Sequence, residues 1–362
     1  MLTAKRIIGI VSVIIFGVYM LVANYDRFYK AAVGAARLSI LTMSFENAAG
    51  AVSSARLKAQ QSSDKKEMPP EIVKQSVTES KSSEKNDNAS AVETVTNGRV
   101  LGGVVEKTFS TKSSNTCFDD VNIDNKTGEA IDIGRLLSSK IGYKIEKNGQ
   151  PQVLIYHTHT TEGFLLHNGR QYTDADKPRT NNTSENIVAV GEIIADCIAK
   201  AGYRVVHDKT LHDYPAYSGS YTRSAQTVKK YLNKYPSIKV IIDLHRDAVA
   251  SGKSDKIAPI AEINGKKAAQ VMLVMGSGTG TVKGHEKWQE NLKLAVRLQQ
   301  RLQRQYPLLA RSMLLKSNRY NQDLSTGALL IEIGTDANTL EQAKYSGEMV
   351  GTAICEVFAD LS

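Results

Sequence analysis

Cysteine is scarce: the 362 residues hold three, at positions 117, 197 and 355. Three thiols without a CxxC spacing exclude a disulfide framework and a thiolate metal clip, so any metal must be held by histidine and carboxylate. Acidic residues are outnumbered, 37 Asp+Glu against 46 Lys+Arg, and the net charge is +9. That excess suits an anionic partner, whether nucleic acid, an acidic membrane face or a cell-wall polymer. The basic residues are not gathered into a recognised nucleic-acid motif, so no nucleic-acid partner is expected. With 41% hydrophobic and 23% charged residues, the composition suits a globular protein and excludes a mostly disordered chain or a polytopic membrane protein.

One long apolar run is present. Ile7 to Ala23 follows Lys5 and Arg6 without a further charge, and at about 1.5 Å per residue it just reaches the length of a bilayer span. A cleaved signal peptide is the alternative, but no well-formed small-residue cleavage site precedes Asp26. Residues 1–24 are therefore expected to be a short cytoplasmic tail and a retained single-pass anchor, with the rest of the chain outside the cytoplasm. Residues 25–114 begin with a stretch that suits a stalk helix and continue as Ser, Lys, Glu, Asn and Thr with almost no aromatic residue. Such a segment cannot bury enough apolar surface to offset its ordering entropy, so a flexible spacer of roughly 40 Å is expected. Residues 115–362 then form one catalytic domain.

Within that domain apolar β-rich runs alternate with helical patterns. Strands are predicted at Val153–His157, Tyr203–His207, Ile238–Leu244, Val271–Met275 and Ala328–Ile333. Helices are predicted near Glu185–Ala201, Tyr221–Tyr235, Glu286–Tyr306 and Thr339–Phe358. Ser184 suits an N-cap and Gly202 a C-terminal stop. Asn264-Gly265 reads as a hairpin turn, so the sheet is expected to be mixed. The fold class is α/β, a three-layer α/β/α sandwich.

In open α/β sheets, reactive groups collect beyond the C-terminal ends of the strands. Three predicted strands deliver metal-competent residues there: one runs into His157-Thr158-His159-Thr160-Thr161-Glu162, another into Asp243-Leu244-His245-Arg246-Asp247, and a third carries Glu332 in LLIEIGTDANT. A zinc ion that activates water takes three protein ligands and keeps a fourth position open, and His159, Glu162 and His245 supply that set. Glu185, at the start of the next helix, is the alternative carboxylate ligand. His157, a single histidine at the end of its predicted strand, suits a structural role. Glu332, in an apolar strand, suits a general base whose carboxyl is raised by desolvation. Arg246 suits a substrate carboxylate, and Asp247 the orientation of a ligand histidine from behind, with structural ion pairing the alternative for both. Tyr217 and Tyr221 suit the wall of a glycopeptide groove. Cys197 and Cys355 fall on helical core patterns and suit small buried residues.

YHTHTTEGF (156–164), LHDYPAYSGSYTRS (211–224), SIKVIIDLHRDAV (237–249) and LLIEIGTDANTLEQAK (329–344) together resemble the stage II sporulation protein P family. That family is similar to the zinc-dependent N-acetylmuramoyl-L-alanine amidases. The resemblance covers residues 115–362 and implies that the metal-binding His, its partner Glu, the second His and the catalytic Glu fall on His159, Glu162, His245 and Glu332. Gly163 stands where the family pattern has Ser, while the amidases proper place their Glu ligand on the helix after the first strand, which keeps Glu185 open.

The resemblance further implies a Zn²⁺ cofactor, a peptidoglycan substrate, amide cleavage between N-acetylmuramic acid and L-alanine, and a second endopeptidase activity on cross-links. It implies partners too, a sporulation lytic transglycosylase (stage II sporulation protein D) and a membrane protein (stage II sporulation protein M). The setting would be septal wall thinning and engulfment, at the mother cell's membrane. Two other classes fit parts of the pattern. A zinc carboxypeptidase-type wall peptidase shares the metal set but needs a pocket for a terminal carboxylate, and a non-catalytic wall-binding module would use the metal structurally.

Overall fold

The computed structural model describes residues 98–111, 114–280 and 284–362. In chain order the strands are β1 (Val100–Lys107), β2 (Thr116–Phe118), β3 (Val121–Asn125), β4 (Pro151–Tyr156), β5 (Gln171–Thr173), β6 (Arg204–His207), β7 (Val240–Asp247), β8 (Ala250–Ser251), β9 (Asp255–Ile263), β10 (Lys266–Ala269), β11 (Val271–Gly276), β12 (Met313–Lys316) and β13 (Ala328–Thr335). The helices are α1 (Ile133–Ser138), α2 (Ile187–Lys200), α3 (Ser220–Lys234), α4 (Trp288–Gln305) and α5 (Leu340–Ala359). No helix among the described residues is long and apolar enough to cross a membrane, and Ile7–Ala23 lies outside them.

Eight strands form the main sheet, in the order β2-β3-β12-β11-β13-β7-β4-β6. β13, β7, β4 and β6 run parallel, whereas β11 is antiparallel to β13. β4 is buried nearly throughout because parallel neighbours flank it and helices cover both faces. Val153 and Ile155 point into a large core with residues of α1, α2, α4 and α5. Leu154 and Tyr156 point the other way, onto Val228 and Tyr231 of α3. Alternation at period 2 thus divides each central strand between two cores.

The structure departs from the sequence expectation in three places. The Asn264-Gly265 hairpin forms, with φ of 51° and 73° at the two turn residues, but it joins β9 to β10 in a second, five-stranded sheet of order β10-β9-β1-β5 with β8 on β9. The main sheet is mixed for another reason, the reversed β11. Folded structure also begins before residue 115: β1 runs parallel to β9 and antiparallel to β5, partners some 150 and 70 residues away that its own VLGGVVEK sequence does not announce. Finally, α2 is capped by Asn186, whose side chain accepts from Val188 N at 2.9 Å, and not by Ser184. Gly202 does follow that helix, at φ 90°.

Candidate metal centre

The chain leaving β4 turns at once. Glu162 N donates to His159 O at 3.2 Å, and Thr160 Oγ1 donates to His157 O at 2.9 Å and to Thr210 O at 2.6 Å. Thr161 donates through its N–H and hydroxyl to Asp213, at 3.1 and 2.7 Å. Short hydroxyl side chains can serve the backbone in this way, which is why the turn is written in threonine.

The turn brings His159 Nδ1 to 3.3 Å from Glu162 Oε1. From the end of β7, His245 Nδ1 arrives 3.5 Å from Glu162 Oε2. One donor atom from each of the three residues lies within 4.8 Å of the others, and their side chains are only 11, 6 and 4% exposed, so water competes little for them. Arg246 N also donates to Glu162 Oε2, at 2.9 Å. On the far side of the His245 ring, Nε2 lies 3.0 Å from Asp243 Oδ1, and Asp243 is itself held by Thr158 N at 2.8 Å and Thr158 Oγ1 at 2.6 Å. A carboxylate behind an imidazole aims the opposite nitrogen at a metal.

Glu332 stands beside His245 in the parallel β13–β7 ladder. Burial pushes its carboxyl up to about 8, against the pull of His245 and with a further push from Glu162. Its Oε2 is shut off from solvent without a hydrogen-bond partner among the described residues. At Glu162 burial acts in the same upward direction, but hydrogen bonds from His159 and His245 outweigh it and hold the carboxyl below the usual range. At His245 burial lowers the pKa, yet Asp243 and Glu162 together raise it well above the ordinary histidine value. One carboxylate is thus ready to bind a cation and the other to carry a proton. Two imidazoles and a carboxylate converging on one point, with an orphaned carboxylate oxygen alongside, fit a Zn²⁺ site with an open position.

A model of the stage II sporulation protein P family matches residues 30–355. The chain belongs to that family. Stage II sporulation protein P of Bacillus subtilis (strain 168) is 32% identical over 220 residues, covering 58% of this chain and 51% of that one, so the match spans about half the relative's length. Among solved structures, the CwlD amidase from Clostridioides difficile in complex with the GerS lipoprotein matches at 14% identity and a TM-score of 0.37, over 58% of this chain and 98% of that one. The catalytic domain of CwlV, an N-acetylmuramoyl-L-alanine amidase from Bacillus (Paenibacillus) polymyxa var. colistinus, matches at 12% identity and a TM-score of 0.33, over 58% and 99%.

In this member of the stage II sporulation protein P family the predicted site residues separate into two groups. His159, Glu162, His245 and Glu332 converge, and Tyr217 and Tyr221 stand over them. Tyr217 stacks on His159 with ring centroids 4.6 Å apart, and Tyr221 lies edge-on to His159 at 5.7 Å and parallel to His245 at 6.5 Å. Arg246 is different from expectation: its side chain is buried and donates to the backbone carbonyls of Gly163, at 2.8 Å, and of Pro178, leaving it closed to a substrate. Asp247 does not orient a ligand histidine either. It pairs with Arg311 at 2.9 Å, and the carboxylate behind His245 is Asp243. Glu185, just before α2, is outside the metal cluster.

His157 continues the face of Val153 and Ile155 toward α2, as period 2 requires, and it is the turn after Tyr156 that parts it from His159. His157 Nδ1 lies 3.1 Å from Leu244 O and its Nε2 2.9 Å from His207 Nε2, while His207 Nδ1 lies 3.0 Å from Glu192 Oε2. Burial and the neighbouring His207 push its pKa well down, so it stays neutral.

Two residues at the site carried no sequence expectation. Asp243 could have been found, because it lies two residues before His245 on one strand and shares its face. Arg179 could not: it sits in a polar stretch, and only tertiary structure brings its backbone into a bridge with Glu162 and its side chain to 3.5 Å from Glu162 Oε1.

Proposed function

We propose that this protein is a zinc-dependent peptidoglycan hydrolase that cleaves the amide between N-acetylmuramic acid and L-alanine, with endopeptidase action on cross-links as a second activity. The observation that carries this reading is the open His159–Glu162–His245 set with the raised, partnerless Glu332 beside it. A Zn²⁺ held by those three side chains would supply Lewis acidity to a substrate carbonyl and an attacking water. Glu332 takes the proton from that water at Oε2, the oxygen without a partner, and returns it to the departing amide nitrogen. Asp243 Oδ1, 3.0 Å from His245 Nε2, favours the proton on that nitrogen and so leaves Nδ1 for a metal. Tyr217 and Tyr221 offer ring faces to sugar or peptide planes.

Family membership and the +9 charge support an anionic wall polymer as substrate and septal wall thinning during sporulation as the setting. The amidase-like three-layer fold, a membrane anchor at residues 1–24, a spacer after it, an extracytoplasmic position at the mother cell's membrane and partnership with stage II sporulation proteins D and M belong to the same proposal. Metal analysis of the purified chain with mass spectrometry of its products on peptidoglycan tests it. His159→Ala is expected to lose zinc. Glu332→Gln is expected to keep zinc and to lower hydrolysis by about 10²-fold or more. New L-alanine amino termini identify the amidase, terminal D-alanine release would replace it with a carboxypeptidase, and undiminished digestion by either variant would sink the catalytic assignment.

A further inference from the structure

Arg179 reaches the metal centre from the segment between β5 and α2. Thr180 N donates to Thr161 O at 2.8 Å and Gly163 N to Pro178 O at 3.0 Å, so this segment lies as a strap along the turn that carries Glu162. Arg179 Nη1 is occupied, by Asp213 Oδ2 at 2.5 Å and Thr161 Oγ1 at 3.2 Å. Asp213 is fully buried at its side chain, so this half of the guanidinium is an internal ion pair.

The other half is differently placed. Nη2 faces Glu162 Oε1 at 3.5 Å, longer than a hydrogen bond. The guanidinium lies over the Tyr217 ring at 4.7 Å, and the Arg179 side chain is 38% exposed, unlike the metal-ligand side chains beneath it. Tyr217 is 56% exposed and stacks on His159. Arginine presents five N–H donors in a fixed fork, so fixing Nη1 on Asp213 orients the remaining edge without using it. A cation bound by Glu162 would also commit that carboxylate's charge elsewhere.

We propose that Arg179 is a specificity residue whose Nη2 edge, turned away from Asp213 and beyond hydrogen-bond distance of Glu162, grips a substrate carboxylate beside the bond that is cleaved. The substrate class is an acidic peptide with its carboxylate within one or two residues of the scissile amide, since an extended chain covers about 3.3–3.6 Å per residue. The stem peptide of peptidoglycan has such a group in the free α-carboxyl of its second residue, glutamate, where that carboxyl is not amidated. Arg246, buried on backbone carbonyls, leaves this task open.

The inference rests on the hydrolase reading, and the experiment separates the two. Two muropeptides identical except for a carboxylate or a carboxamide at that glutamate are compared with the zinc-loaded chain, by equilibrium binding and by hydrolysis. The wild type is expected to favour the carboxylate by about 10–100-fold, the worth of one charge-assisted contact, expressed in Kd and KM and not in kcat. Arg179→Gln should bring the ratio to near one with zinc content unchanged. Arg179→Lys keeps an ion pair for Asp213 but lacks the fork, and should retain only a severalfold preference. An equal ratio in wild type and Arg179→Gln, loss of zinc from Arg179→Gln, or a wild-type ratio in Arg179→Lys overturns the inference. Carboxylate preference in binding with no hydrolysis of either compound would leave it standing and remove the hydrolase reading instead.

Discussion

Asp243 shows how a residue can matter to a site without belonging to its candidate ligand set. It sits between Thr158 and His245, taking two hydrogen bonds from the former and fixing the ring of the latter. Asp243→Asn keeps the size and one acceptor but removes the charge, and should weaken zinc affinity by about 10–100-fold in a chelator competition while the fold is retained. On the other face of the sheet, Glu192 is held down to about 2 by the His207 hydrogen bond, which outweighs its partial burial, and by Lys209. Because this folded value lies below the usual 4.5, its stabilisation is complete above that pH and is lost as the pH falls toward 2. The melting-temperature difference between wild type and Glu192→Gln should therefore be flat at neutral pH and close below about 4.5. His159, His245 and Glu332 were legible in the sequence because each closes or occupies an apolar run, where a polar residue demands a reason. Asp247 takes the ion-pair alternative, with Arg311, and the ladder decides which aspartate serves His245: Asp243, opposite Tyr156, sits beside the turn that starts the site.

The elements were largely legible too, because β4, β7, β11 and β13 are runs of buried Val, Ile and Leu flanked by amphipathic helices. Their boundaries depended on caps. Asn186 caps α2, and Ile187 N donates to Glu162 O at 2.8 Å, so the helix start and the metal-ligating turn share one junction. Ser184 looked equally suitable in sequence, but its hydroxyl donates to Asn182 Oδ1 instead. Asn186→Ala should lower stability by about 1 kcal/mol in denaturant unfolding, while Ser184→Ala should change it little. At the other long helix, Thr339 and Gln342 form a reciprocal capping box that the sequence pattern T-x-x-Q displays openly.

For the molecule as a whole, the second sheet was the part that the sequence hid. β1 and β10 carry exposed residues, β5 has three residues, and the β1 pairings join segments far apart in the chain. No local periodicity reports a pairing of that kind. The consequence is practical: a polypeptide begun at Asn115 lacks β1, which leaves β5 without its strand partner and opens an edge on β9. Such a fragment should melt lower and aggregate more than one begun ahead of Gly98, as thermal scans and size-exclusion chromatography would show. If the two behaved alike, β1 would be dispensable.

β1 also decides how the fold answers a mechanical load. It is the strand that follows the first 99 residues, and it is clamped between a parallel and an antiparallel neighbour, with Gly103 N donating to Asp255 Oδ1 at 2.8 Å and Val104 N to Arg170 O at 2.7 Å. Tension applied along the entering chain and in line with β1 loads these bonds in shear, so that they resist together. The candidate metal ligands follow β4 and close β7 in the other sheet, so a pull on the entering chain is taken up first by the bonds of β1.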